Sequence, residues 1–262
     1  MLDCGTGSRA LGQQLAEEPG RRLELVFSHL HMDHLFGLPF FAPVHVPEFE
    51  VHITVPAQSG AEARDKVARY LDGLYHPVRL DELQAAVSFQ GIRPPGPVDR
   101  GGWTLRGASL SHPGGSLGYR VEVEDAAFCY VTDTAPFARP GEGLGAGRVA
   151  TAAEKRILRL LEGADVVVYD TMFTRSEYLK RMTWGHSYPE YAVALAEAAG
   201  VGRLVLFHHA PGATDEALDA LQAHWAEHPG PTRVTVAREG EAIEVGEDRA
   251  AVRRRDAVNA EG

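Results

Sequence analysis

The chain has 262 residues, 44% of them hydrophobic and 24% charged, and carries a formal net charge of −10 at pH 7. This length supports one large domain with a sizeable core. The acidic balance argues against a general nucleic-acid surface or an anionic-membrane surface. The two cysteines cannot build a disulfide framework, and no signal peptide or membrane span of about 18 apolar residues is visible. We therefore expect a cytoplasmic protein without a membrane partner.

Short apolar runs alternate with amphipathic stretches along the chain, a pattern that favours an α/β fold. Strands are predicted at residues 22–28, 50–55, 128–133, 165–170 and 203–209. Helices are predicted at residues 8–18, 59–74, 150–163, 187–200 and 214–230. Ser187 and Glu190 form a capping-box pattern at the start of one of these helices. Two weaker strands, 232–237 and 241–246, suggest a terminal hairpin, and the charged end at residues 248–262 is expected to be a disordered tail.

Histidines and aspartates recur where the predicted strands end. The first strand is followed by His29, His31, Asp33 and His34, an apolar run precedes His112, and three later strands end at Asp133, Asp170 and His208. In layered α/β proteins this edge of the sheet binds ligands and metals. A solvated His-rich loop is the alternative for the first group, and an Asx turn is the alternative for Asp133.

The donor types indicate which metal chemistry to expect. Imidazole with carboxylate and no thiolate suits zinc, manganese or iron. The tight loop over residues 29–34 can direct two pairs of groups at two nearby centres, and Asp133 is the candidate bridging carboxylate. Such a dinuclear site generates hydroxide at neutral pH and stabilises the attacking and leaving oxygens. Hydrolysis is the predicted reaction type.

The segment "HLHMDH" matches the His-x-His-x-Asp-His signature of the metallo-β-lactamase fold. With "LDCGTGSRALG", "VTDTAP", "WGHSYPE" and "LFHHAP", the chain resembles the branch that contains ribonuclease Z, the phosphodiesterase of the carbon–phosphorus lyase pathway and class III cyclic-nucleotide phosphodiesterases. The resemblance implies an αββα four-layer sandwich over residues 1–247. Relatives carry a few tens of residues before the first motif. We therefore expect either that the natural start lies upstream of Met1 or that the N-terminal strands are missing.

The resemblance also implies roles for individual residues. The first metal would be held by His29, His31 and His112, and the second by Asp33, His34 and His208, with Asp133 bridging. His209 is the alternative to His208. Asp3 would orient a ligand without binding metal, and Asp170 is interpreted as structural. Asp33 and His186 are the candidate catalytic residues: His186 would contact phosphate and protonate the leaving oxygen, unless it only neighbours the helix cap at Ser187.

The function that follows is a hydrolase with two divalent ions, zinc first and manganese or iron as alternatives. It would act on a small, cyclic phosphodiester through a metal-bridging hydroxide. The segment between His112 and Asp133 has room only for a strand, a turn and a strand, so no tRNA-binding arm is expected. An acyl hydrolase of the lactonase or thioesterase type and a non-catalytic binding module remain alternatives. The resemblance implies a homodimer.

Overall fold

A computed structural model describes residues 1–18, 20–94, 96–149 and 151–246. The chain divides into two compact units, Met1–Arg93 and Pro94–Gly262, which we call unit 1 and unit 2. The predicted charged tail at residues 248–262 lies outside the described residues.

Unit 1 contains a three-stranded sheet in which every neighbouring pair is parallel. Its strands, in sheet order, are β1 (Arg22–Val26), β2 (Glu50–Pro56) and β3 (Ala86–Ile92). Its helices are α1 (Ser8–Ala16), α2 (Met32–Leu35) and α3 (Gly60–Ala68). Leu2 forms a parallel bridge with Val26, which brings the start of the chain beside the carboxyl end of β1.

Unit 2 contains a seven-stranded sheet in the order β10-β9-β8-β7-β6-β5-β4. The strands are β4 (Val98–Asp99), β5 (Trp103–Ser109), β6 (Leu117–Val123), β7 (Ala126–Val131), β8 (Val166–Asp170), β9 (Arg203–Phe207) and β10 (Arg233–Val236). β7 to β10 are parallel, whereas β4 to β7 are antiparallel. The loops that follow β7, β8 and β9 therefore leave the sheet at the same edge.

The helices of unit 2 are α4 (Ala152–Leu161), α5 (Arg175–Tyr178), α6 (Pro189–Ala198) and α7 (Asp215–Ala226). Thr151 and Glu154 form a capping box at the start of α4. This box satisfies backbone N–H groups that the first helical turn leaves without partners. Ile157 and Leu161 of α4 are buried in the core of unit 2.

Two sequence predictions about this unit are wrong. Residues 241–246 form no strand, so the terminal hairpin is absent, and β10 instead pairs in parallel with β9. The cap of α6 is Tyr188 rather than Ser187, because Pro189 occupies the first helical turn. The Ser187 hydroxyl is buried and makes no hydrogen bond within the described residues. No described helix has both the length and the apolar character that a membrane crossing requires.

Candidate metal centre

In unit 1, the four predicted ligands of the first motif follow β1: His29 and His31 lie in the loop before α2, and Asp33 and His34 lie within α2. The His29 ring centroid lies 4.4 Å from that of His31 and 4.3 Å from that of His34. His29 and His34 are buried, whereas His31 and Asp33 are exposed. Asp33 Oδ2 lies 3.1 Å from His34 Nε2. The loop therefore gathers three imidazoles and one carboxylate within a few ångströms.

The Asp3 carboxylate is hydrogen-bonded to residues at both ends of this motif. Its Oδ1 accepts a 2.7 Å hydrogen bond from the Ser28 backbone N–H, and its Oδ2 accepts a 2.8 Å hydrogen bond from the Ser28 hydroxyl. The same Oδ2 lies 2.8 Å from His34 Nδ1. Asp3 is buried, so these donors offset the cost of removing its charge from water. The carboxylate fixes the loop and one imidazole together.

These hydrogen bonds also select the ring nitrogen that each histidine presents. Since the Ser28 hydroxyl gives its hydrogen to Asp3, its oxygen is free to accept from His29 Nδ1, 3.1 Å away. His34 Nδ1 likewise donates to Asp3. The Nε2 atom of each ring then carries the lone pair. Histidines that bind metals characteristically have this arrangement, with the other nitrogen hydrogen-bonded.

In unit 2, Asp133 lies between two of the predicted ligands. Its Oδ2 is 3.5 Å from His112 Nε2, and its Oδ1 is 3.5 Å from His208 Nε2. The side chain is almost fully buried, and Oδ1 also accepts a 2.7 Å hydrogen bond from the Thr132 hydroxyl. The two oxygens of one carboxylate thus face two different imidazoles, as a carboxylate shared between two cations would.

His112 is oriented by the backbone of Gly185. Its Nδ1 lies 3.0 Å from the Gly185 carbonyl oxygen, which can only accept, so Nδ1 carries the hydrogen and Nε2 faces Asp133. Gly185 has a φ of +87°, and a Cβ there would lie 2.5 Å from His112 Nδ1 and 2.4 Å from Pro113 Cδ. Only glycine combines this backbone angle with this close approach.

Asp170 and His186 form a buried pair at the same sheet edge. Asp170 Oδ2 lies 2.9 Å from His186 Nδ1 and accepts a 3.0 Å hydrogen bond from the Thr134 N–H. Its Oδ1 accepts a 3.0 Å hydrogen bond from the Met172 N–H. The His186 ring stacks on that of His208 with centroids 5.0 Å apart. Asp170 therefore fixes the orientation of His186 next to a predicted ligand.

Backbone strain in the described residues is concentrated at these positions. Four non-glycine residues have positive φ: Asp3 at 55°, Asp133 at 52°, His208 at 57° and Glu124 at 50°. Glu124 lies in the β6–β7 turn, where such an angle is ordinary, but the other three are predicted site residues. Left-handed backbone costs an L-residue roughly 1–2 kcal/mol. Strain of this kind clusters at functional sites.

The beta-lactamase superfamily domain model matches residues 1–209. The chain belongs to this superfamily. It is 27% identical over 260 residues to ribonuclease BN of Salmonella typhi. The aligned region covers 85% of this chain and 82% of the relative. Among solved structures, it is similar to the metallo-β-lactamase fold protein YhfI from Bacillus subtilis, with a TM-score of 0.62 and 19% identity over 92% of this chain and 84% of that one. It is also similar to the short form of human tRNase Z, with a TM-score of 0.61 and 20% identity over 93% and 87% of the two chains.

Superfamily membership confirms three predictions: the metallo-β-lactamase resemblance, the mixed α/β fold and a metal-dependent hydrolase. The donors also fit a divalent cation. Within unit 1, His29 with His31 and Asp33 with His34 present ligand atoms no more than 4.8 Å apart, and Asp133 does so with each of its two histidine neighbours in unit 2. Neutral imidazole nitrogens and carboxylate oxygens at such spacing suit zinc, manganese or iron.

Of the two adjacent histidines after β9, His208 is the one whose Nε2 faces Asp133. Burial lowers the pKa of His209, whose ring lies near the Ala237 backbone. Asp170 was interpreted from the sequence as structural, without its contact to His186, and sequence reasoning missed Gly185. The strand-end position of Asp170 was visible in the sequence, but its partner His186 lies 16 residues further along the chain. Nothing in the sequence pairs Gly185 with His112.

Proposed function

We propose that the protein is a dinuclear metal-dependent phosphodiesterase that acts on a small phosphodiester. In this proposal, one ion is held by His29, His31 and His112, the other by Asp33, His34 and His208, and Asp133 is shared between them. The observation that carries the proposal is the Asp133 carboxylate, each of whose oxygens lies 3.5 Å from the Nε2 of a different histidine.

The ions would supply an activated water at neutral pH and would neutralise charge on the phosphate. Hydrogen bonds that leave Nε2 as the available atom of His29, His34 and His112 support this ligand set. Asp33 is proposed to act within the catalytic site as one of these ligands.

His186 would deliver a proton to the leaving oxygen. Its Nδ1 is held by Asp170, so Nε2 is the atom that can carry this proton, and the ring lies against His112 and His208 with centroids 5.2 and 5.0 Å away. Asp170 would keep the ring in this orientation and stabilise its protonated form, as the carboxylate of a hydrolytic triad does. General acid assistance of this kind typically contributes 10²–10⁴-fold in rate.

The shape of unit 2 supports a small substrate. Between His112 and Asp133 the chain forms β6, a turn and β7. The two strands pair in antiparallel fashion from Tyr119 opposite Tyr130 to Val123 opposite Ala126. The relatives named ribonuclease BN and tRNase Z indicate RNA, and a net charge of −10 disfavours a long polyanion. The proposal is therefore a small or cyclic phosphodiester rather than tRNA.

Zinc is the metal proposed, because three-histidine and histidine–carboxylate donor sets are typical of catalytic zinc. Cys4 and Cys129 are free and buried, which is compatible with the proposed cytoplasmic location. We also propose a homodimer, which a measurement of molecular mass in solution would test.

The test is hydrolysis of bis(p-nitrophenyl) phosphate by the zinc-loaded protein. We expect His186→Ala to lower kcat by about 10²–10⁴-fold with both metal ions retained, and Asp170→Asn to lower it in the same direction. His224→Ala is the matched control, because His224 is an exposed histidine on α7, outside the proposed site. Its kcat should equal that of the wild type.

Turnover of lactones or thioesters without phosphodiester hydrolysis would replace this proposal with an acyl hydrolase. A folded sample that binds less than one metal ion per chain would favour a binding module. Full activity of His186→Ala would show that His186 is not the proton donor, and it would not contradict the proposed metal site.

A further inference from the structure

A cluster of aromatic and cationic side chains, exposed mainly at Trp184, lies beside His186 in unit 2. It consists of Phe173, Arg181 and Trp184, and we call it the stacking platform. Trp184 is 60% exposed, whereas Phe173 beneath it is only 7% exposed. The Trp184 and Phe173 ring centroids are 6.4 Å apart, and the Arg181 guanidinium lies 5.7 Å from the first and 5.5 Å from the second.

Hydrogen bonds fix the backbone that carries the platform. The backbone N–H of Trp184 donates a 2.9 Å hydrogen bond to the Arg181 carbonyl, and the backbone N–H of Arg181 donates a 2.8 Å hydrogen bond to the Tyr178 carbonyl at the end of α5. The next residue, Gly185, contacts His112 through its carbonyl. The indole ring packs against Phe173 and the Arg181 guanidinium and is still 60% exposed, so much of its surface is available to a ligand.

The platform is also continuous with the proposed proton donor. The Phe173 ring lies edge-on to His186, with centroids 5.8 Å apart. The exposed indole is therefore one ring removed from the histidine that would face the leaving group. A substrate whose phosphate is at His186 would extend its attached group along Phe173 toward Trp184.

The chemistry of the platform indicates what that group is. A flat indole face binds planar rings, and base–aromatic stacking tolerates every base. An arginine stacked on aromatic faces keeps its N–H donors in the guanidinium plane, where they can meet phosphate oxygens or ring acceptors. An alkyl group would use the indole surface and leave this cation unused. A nucleobase joined to phosphate uses both.

Resting on the proposed function, we infer that Trp184 and Arg181 form a subsite that stacks the base of a nucleotidyl phosphodiester. The substrate is then a phosphodiester whose leaving group carries a nucleobase, and Trp184 and Arg181 select it.

The test is calorimetric titration of the metal-loaded protein with adenosine 5′-monophosphate and with ribose 5-phosphate, which lacks the base. The wild type should bind the nucleotide more tightly. Trp184→Ala should weaken nucleotide binding by about 5- to 100-fold and leave ribose 5-phosphate binding unchanged. Trp184→Phe should recover most of the affinity, since it keeps a π-face. Arg181→Met, which retains the apolar stem, should weaken nucleotide binding.

Leu179→Ala is the matched control, because Leu179 is similarly exposed at 50% and has no ring. It should bind both ligands as the wild type does. Equal affinity of the wild type for the two ligands, no binding of the nucleotide, or an unchanged affinity in Trp184→Ala would overturn the subsite. A wild type that prefers the nucleotide through Trp184 but hydrolyses no phosphodiester would support the subsite and refute the proposed reaction.

Discussion

Replacing Gly185 with alanine should displace His112 and weaken the proposed metal site. The new Cβ would lie 2.4 Å from Pro113 Cδ and 2.5 Å from His112 Nδ1, on a backbone with φ of +87°. The backbone angle costs roughly 1–2 kcal/mol for an L-residue, and overpacking typically adds about 1–3 kcal/mol. We therefore expect the free energy of unfolding of the metal-free protein to fall by about 2–5 kcal/mol, measured by urea denaturation.

The clash also falls on the hydrogen bond that keeps His112 Nε2 directed at Asp133. Loss of such an orienting partner typically weakens metal binding by about 10- to 100-fold. Zinc affinity, measured by competition with a chromogenic chelator, should fall by that factor in Gly185→Ala.

Gly200→Ala separates backbone strain from the clash. Gly200 also has positive φ, at 67°, but a Cβ there would have no heavy atom within 4 Å. This variant should lose only the backbone part, about 1–2 kcal/mol, with unchanged zinc affinity. If the two variants lose equal stability and both bind zinc as the wild type does, Gly185 does not position His112.

Three further predictions concern buried groups. Burial raises the pKa of Cys4 and of Cys129 to about 12, so iodoacetamide should label neither thiol in the native protein and both after unfolding; rapid native labelling would contradict this packing. Arg120 is buried and donates hydrogen bonds to two backbone carbonyls at the end of α4. Arg120→Met should therefore lower the free energy of unfolding, measured in urea, by about 1–3 kcal/mol. An unchanged urea midpoint would show that these hydrogen bonds do not stabilise the fold. Asp3→Asn should lower zinc affinity by about 10- to 100-fold, because the amide cannot accept from every donor that the carboxylate serves; wild-type affinity would show that His34 needs no orienting partner.

Among the strands predicted from the sequence, two are apolar along almost their whole length. β8 and β9 contain continuous runs of apolar residues because parallel strands inside an α/β sheet have little solvent-facing surface. β3 was missed, since Ser88, Gln90 and Gly91 interrupt its apolar pattern. Residues 241–246 mix polar and apolar residues as a surface strand would. Such a pattern shows which side chains could be buried, but it does not show which strand would pair with the segment.

The same distinction holds for the site. The residues at strand ends were predictable, because local sequence decides where a strand stops and parallel strands stop at one edge. What surrounds them depends on contacts between distant residues. The hydrogen bond from His112 to Gly185 joins positions 73 residues apart, and Ser187 became a buried hydroxyl only because Pro189 begins the helix. Residue type carries no signal for the first contact, whereas Pro189 itself marks the start of the helix.

Three residues with left-handed backbone angles stand where glycine would be the expected residue. Asp3, Asp133 and His208 each leave an extended segment and turn at once, with φ between 52° and 57°. Glycine would adopt these angles at no steric cost, but it would offer no oxygen or nitrogen. Each position accepts roughly 1–2 kcal/mol of backbone strain to direct a polar side chain at its neighbours. The strain is tolerated because side chains and backbone on either side, such as Thr132 and Ser116 around Asp133, hold the turn. If these three residues have the roles proposed above, stability and function pull in opposite directions at each of them.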